Sequence, residues 1–332
     1  MPSFRGRKDK PAGGQGLRGN VDDDTGETGD AKMTKAHRRR LGIVVILFLL
    51  GLSVDADQAA SLESKSFLWK VRSTTSTVYL LGSVHLFKKE MYPLDRKIEE
   101  AFDRSDRVVV EANLNALDVK MDLQKLLEKA VYLDEDTLER HVSKETYELI
   151  RRKGEELGLP LELISRQKPW FLALMFSSVG LLKFGFDANY GIDLYFLRKA
   201  AGKKTILELE SLDYQIDLLS GFNERDQELF LLMTLRDLDT LGQDVDRLLQ
   251  AWAAGDAAGL EKLMTRSITG DRRFSPIYDA LITNRNKTMA LKIEDFLKTG
   301  EVYFVIVGAG HLTGDNGIVE SLRKKGYLVE QM

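Results

Sequence analysis

The stretch Glu301-Val-Tyr-Phe-Val-Ile-Val307, running into Gly308-Ala-Gly310-His311-Leu312, decides the fold. Val302 to Val307 is apolar without a break and rich in β-branched and aromatic residues. That pattern predicts a strand buried on both faces, since an amphipathic helix of this length would interrupt it with polar positions. A second stretch repeats the design: Val78-Tyr-Leu-Leu-Gly82-Ser-Val-His85-Leu86. Both begin Val-Tyr and end Gly-x-x-His-Leu. Glycine is expected to let the backbone leave the strand sharply, so that each histidine lands just outside the sheet edge. Open α/β sheets place their ligand sites there.

Further strands are predicted at Phe67–Arg72, paired with Thr77–Leu81 as a hairpin across the polar turn Ser73-Thr-Thr-Ser76, then at Arg107–Glu111, Lys204–Leu207 and Tyr327–Glu330. Helices are expected over Leu94–Phe102, Leu117–Val131, Glu224–Trp252, Pro276–Leu297 and Ile318–Lys325. Residues 143–298 read as mostly helical, with Ser143 starting one helix and Pro169 in the first turn of another. Trp170–Phe176 is apolar on nearly all sides and too short to span a bilayer, so it reads as a core helix. The predicted fold class is α+β (mixed α/β). A central mixed sheet assembles from N- and C-terminal strands, and a large helical middle packs on it.

The chain has 332 residues, a formal net charge of −3 and no cysteine. Its size supports a packed core, and the near-balanced charge offers nothing to a nucleic acid. Without cysteine there are no disulfides, thiolate metal sites or thiol nucleophiles. Any metal must be held by nitrogen and oxygen, and only His37, His85, His141 and His311 supply imidazole.

Residues 1–40 form a polar, basic leader that cannot bury a core. The apolar run Leu41–Val54 follows His37-Arg-Arg-Arg40, and Asp55 and Asp57 come after it. It falls short of the ~20 residues a spanning helix needs and suits the core of a signal peptide. Residues 41–60 are therefore expected to direct export, with cleavage near 57–61 and Met33 as a candidate true start. An uncleaved anchor is the alternative, and would be the only membrane contact. Residues 61–332 are expected to form a single domain.

Two glutamates stand at comparable strand ends: Glu111 closes Val108-Val-Val110, and Glu210 follows Thr205-Ile-Leu207. With His85 and His311 they could complete a nitrogen–oxygen metal site or supply a general base. Arg285, in Asn284-Arg-Asn286, reads either as surface charge or as a cationic clamp on a substrate or oxyanion. Asp193, in Gly191-Ile-Asp193, is expected to cap a helix. His141 lies among charges at a helix start and reads as a surface residue. Gly308-Ala-Gly310-His-Leu-Thr-Gly314 does not fit a dinucleotide loop, because its last glycine is one residue late and too little chain follows.

Together, Tyr79-Leu-Leu-Gly-Ser-Val-His85, Tyr92-Pro-Leu94, Val108-Val-Val-Glu111, Gly191-Ile-Asp193, Leu209-Glu-Ser211 with Gln215, Arg285-Asn286, and Val307-Gly-Ala-Gly-His-Leu-Thr-Gly314 with Gly326-Tyr327 resemble the TraB/PrgY/GumN family. The animal Tiki proteases belong to the same family. The likeness covers the chain from about Phe67 onward. It implies a fold similar to the erythromycin-esterase/ChaN group and divalent-metal-dependent proteolysis through the two Gly-x-x-His motifs. The matching positions are His85 and His311 as metal ligands, Glu111 and Glu210 as ligand or catalytic base, and Arg285 as a supporting cation. Mn²⁺, Co²⁺ and Zn²⁺ all suit such donors. The expected function is an exported metal-dependent hydrolase acting on a peptide or protein. Its rivals are a metal-independent hydrolase in which Glu111 orients His85, a binding protein for peptide, haem or metal, and an interaction scaffold.

Overall fold

In the computed structural model, which describes residues 65–113 and 119–332, six strands form one sheet. The leader, the Leu41–Val54 run and Met33 lie outside the described residues. The strands are β1 (Leu68–Arg72), β2 (Thr77–Ser83), β3 (Arg107–Val110), β4 (Thr205–Glu208), β5 (Val302–Gly308) and β6 (Leu328–Gln331). Their order across the sheet is β4-β3-β5-β2-β1-β6. β4, β3, β5 and β2 run parallel, while β1 is antiparallel to both β2 and β6. The expected hairpin is present, with Ser73 N–H donating to Ser76 O across its turn at 3.1 Å.

β5 is the buried strand its sequence predicted, and it lies between β3 and β2. Val305 faces Leu80 on one side and Val109 on the other, and Tyr303 to Val307 are all buried. Alternate residues of a strand serve opposite faces. Phe304 meets Phe102 and Phe196 with ring centroids 5.7 and 4.9 Å apart, whereas Tyr303 stacks on Phe296 at 4.6 Å. Helices α1 (Arg96–Arg104) and α5 (Ile192–Ala200) therefore cover one face. Helix α10 (Asn284–Phe296) covers the other. Each large apolar side chain buried this way contributes roughly 1.5–3 kcal/mol.

Between α1 and α5 lie α2 (Val119–Ala130), α3 (Lys144–Leu157) and α4 (Pro169–Lys183); between α5 and α10 lie α6 (Leu212–Ser220), α7 (Glu224–Asp237), α8 (Leu241–Ala253) and α9 (Ala257–Met264). Pro169 opens α4, where its missing N–H costs nothing, and Trp170, Leu172, Ala173 and Phe176 are buried as expected of a core helix. They join Ile150, Phe230 and Leu231 in a second apolar core, separate from the one around the sheet. Among the described residues no helix is long and apolar enough to cross a membrane.

One detail departs from a sheet assembled from the two chain ends. β4 comes from the helical middle and forms the outer parallel strand beside β3. It is short and only half-buried, so its sequence carries little of the apolar signal that marks β5.

Candidate functional site

The four parallel strands point their carboxyl ends the same way, and each delivers one of the residues singled out. His85 follows β2, Glu111 follows β3, Glu210 follows β4 and His311 follows β5. Positions 226 residues apart in sequence thereby reach one place, because β2 and β5 pair directly with Gly82 opposite Val307. A Cβ added at Gly308 would lie 3.3 Å from Glu111 Oε1, 3.5 Å from His311 Cδ2 and 3.7 Å from His85 Nε2. All three side chains border one small space. His311 Nε2 stands 3.7 Å from Glu111 Oε1.

The glycines of the two motifs serve close approach, not the sharp turn expected. Gly308 has φ −50°, which any residue can adopt. Its bare Cα opens the space just described. A Cβ at Gly82 would lie 2.4 Å from the Phe67 ring.

Each histidine has one nitrogen engaged. His85 Nδ1–H donates to Asp193 Oδ2 at 2.9 Å, and His311 Nδ1–H donates to Asn286 Oδ1 at 2.6 Å. The Asn286 orientation follows from its Nδ2, which donates to Asn316 O. Both rings are therefore held with Nε2 towards the shared space. Asp193 is the correction to an expected cap. Gly191 takes the cap position of α5, and Asp193 turns to His85 and to Ser83 Oγ. A Cβ at Gly191 would meet His85 O at 2.2 Å, so glycine lets the helix start come close enough for Asp193 to reach the ring.

Arg285 is not a surface charge. Its side chain is 11% exposed, and Nη2 donates to Glu111 Oε2 at 2.6 Å and to Glu210 Oε2 at 2.7 Å. Nε adds two bonds to Glu210, and Nη1 donates to Leu281 O. Leu281 lies in a π-helical turn, Asp279–Thr283, that runs directly into α10. Such turns recur at functional sites because they re-aim the residues that follow. Gln215 ties the two glutamates further, with 3.2 Å bonds to each. Sequence reading gave no role to Gln215 or Asn286; their place in the family motifs was the only signal. His141 lies elsewhere, stacked on Tyr132 and bonded to Asp136 and Glu224.

The electrostatics are uneven. Asp193 raises His85 to about 9, against the cost of desolvating the ring. Burial lowers His311 to about 4. For Glu111, burial pushes upward, but His311, His85, Arg285 and the Gly308 N–H outweigh it and hold the carboxyl at about 2. The Gly308 N–H donates to Oε1 at 2.6 Å. Of the buried carboxylates, Glu111 and Glu210 share the Arg285 guanidinium, while Asp193 pairs with His85. Buried negative charge in excess must be met by histidine protons or by another cation.

That imbalance, together with two imidazole Nε2 atoms and Glu111 Oε1 around one space, fits a divalent cation by charge and by donor type. Among the described residues no three His, Asp and Glu side chains are gathered tightly enough to enclose an ion. Both Glu210 oxygens are taken by Arg285 and Gln215.

The family model of the TraB/PrgY/gumN family matches residues 67–331. The chain belongs to this family. Among its TraB/PrgY/gumN relatives, the protein YbaP of Escherichia coli K12 is 26% identical over 270 residues, 80% of this chain and 96% of the relative. A protein of Treponema pallidum is 23% identical over 78% of this chain and 81% of its own length. The metalloprotease TIKI2 of Danio rerio is 21% identical over 81% of this chain and 61% of its own length. No solved structure matches the chain significantly.

Proposed function

We propose that this protein is an exported, metal-dependent hydrolase that cleaves peptide bonds, with its reaction centre between His85, His311 and Glu111. The observation that carries this reading is the pair of histidines whose Nδ1 atoms are fixed by Asp193 and Asn286. Metal-binding histidines use partners of this kind, bonded to the other ring nitrogen, to present Nε2. The distant kinship to a metalloprotease supports the same chemistry. The apolar run Leu41–Val54 supports export.

His85 and His311 would hold the ion through Nε2, with Glu111 Oε1 beside them. A divalent ion supplies a bound water acidic enough to ionise near neutral pH, and polarises a carbonyl. The residues of this chain do the rest. Glu111 is ionised at neutral pH and, held low by its donors, would serve beside the histidines as an anionic ligand. Arg285 and Gln215 donate to the Glu111 carboxylate and are themselves anchored by Glu210, so Arg285 and Glu210 act as positioning residues.

Cleavage of a peptide library by chelator-stripped protein, before and after adding Zn²⁺, Mn²⁺ or Co²⁺, tests the proposal. Metal-restored cleavage is expected. The metal-free reading expected Glu111 to orient His85; the partner on Nδ1 is instead Asp193, and that pair has the geometry of a general-base dyad. Full activity after exhaustive chelation selects it and rejects the metal.

A further inference from the structure

Beside His85 lies a cavity of about 260 Å³. Phe186 and Leu260 are its buried floor, and Leu181, Val245, Leu248 and Met264 contribute walls. Apart from Ser83 and His85, every side chain that lines it is apolar, and the Ser83 hydroxyl is already engaged by Asp193. Gly310, inside the second Gly-x-x-His motif, also lines it. A Cβ there would lie 2.3 Å from Met264 Cε, so this glycine seats the methionine at the cavity wall. Met264 itself is 38% exposed, an apolar side chain left at the rim.

His85 divides two chemistries. On its other side a cavity shares His85 and Leu86 but is lined by Glu111, Asp193 and Gln215. Beyond the apolar cavity a further one of about 450 Å³ shares Leu181, Val245, Leu248 and Met264, so the trough continues away from the reacting groups. A cavity of about 150 Å³ accepts a benzene ring, which makes the inner pocket large enough for a Leu, Met or Phe side chain. A lysine side chain would lose its hydration there and meet no carboxylate among the lining residues. Met264 can repack around differently shaped apolar groups.

We propose that this pocket is the subsite for an apolar side chain next to the bond cleaved, and that Leu248 and Met264 set that preference. The inference rests on the hydrolase reading for its meaning, but the pocket can be tested apart from turnover. Acetylated, amidated Gly/Ser hexapeptides carrying a single Leu, Phe, Ala or Lys are titrated calorimetrically into chelator-stripped protein. The Leu and Phe probes are expected to bind at least about tenfold tighter than the Ala and Lys probes. Leu248→Glu should erase the difference. Met264→Glu, at the part-exposed rim and with its melting temperature measured alongside, should weaken the Leu probe and strengthen the Lys probe. Equal affinity for all four probes, or no binding by any, overturns the proposal. Discrimination in binding without cleavage after metal is restored keeps the pocket and removes the hydrolase reading. Cleavage indifferent to the apolar residue does the reverse.

Discussion

His85 and His311 end near-identical sequence motifs, yet they sit in opposite surroundings. His85 is 60% exposed to the cleft and leans on a carboxylate; His311 is 5% exposed and leans on a neutral amide. The first is pushed up to about 9 and the second down to about 4. A shared motif has fixed where both rings point, while the partner on Nδ1 and the depth of burial set what each ring carries. In the absence of a metal, the protein holds one charged and one neutral imidazole against the same glutamate. The proposed cation would be held by His311, already unprotonated, and by His85 only once that ring has given up its Nε2 proton.

The largest effect should come from removing the cation that stands behind both. Arg285→Leu leaves Glu111 and Glu210 buried together without compensation, and thermal or urea unfolding should show a loss of about 3–5 kcal/mol. An unchanged melt would mean the two carboxylates are solvated or protonated, and the charge imbalance would disappear with them.

Exchanging the partners should blur the contrast. Asp193→Asn should bring His85 down from about 9 towards the ordinary value near 6.5, read by NMR titration of the ring protons. Asn286→Asp should raise His311. Each change should cost about 10–100-fold in activity or metal affinity. No change in either ring's titration would show that these partners do not control the histidines.

The two histidines also predict mirror-image stability limbs in chelator-stripped protein. His85 has a folded value above its unfolded one. Its contribution is complete below about pH 6.5 and is lost as pH rises through about 9. His311 has a folded value below its unfolded one, so its contribution is complete above about pH 6.5. It is lost as pH falls towards about 4. Melting temperature against pH should bend down on both sides. Asp193→Asn should flatten the alkaline limb and leave the acid limb in place. The water that reaches His85 makes the alkaline limb the shallower one.

Much of this site is legible in the amino-acid sequence. Val302–Val307 announced a central strand because burial on both faces leaves no polar position. The Gly-x-x-His repeats marked strand ends because two apolar strands each run into a glycine and a histidine at the same spacing; either histidine alone would read as structural. What the sequence withheld was pairing across distance. Nothing local to Asp193 says that the start of α5 will reach His85 backbone, and its helix-start position suggested capping instead. Nothing near Arg285 names Glu111, 174 residues earlier, as its partner. β4 was seen as a strand, but its four half-exposed residues gave no reason to place it in the same sheet.

His141 supplies the smallest expected effect and a control. Burial lowers it, but its bonds to Asp136 and Glu224 raise it on balance. Its charge-dependent contribution is therefore present below about pH 6.5 and fades as pH rises through the folded value. Glu224 is largely exposed, so this contribution should stay below about 1 kcal/mol. His141→Gln should lose that pH dependence and keep full activity; impaired cleavage would tie this distant histidine to the reaction.

The most direct test of the central claim is calorimetric titration of Zn²⁺, Mn²⁺ or Co²⁺ into chelator-stripped protein, with His85→Ala, His311→Ala and His141→Gln measured in parallel. One ion per chain is expected in the wild type and in His141→Gln, with tight binding lost in both of the other variants. Binding that survives in His85→Ala or His311→Ala, or a wild type that takes up no ion, would contradict it.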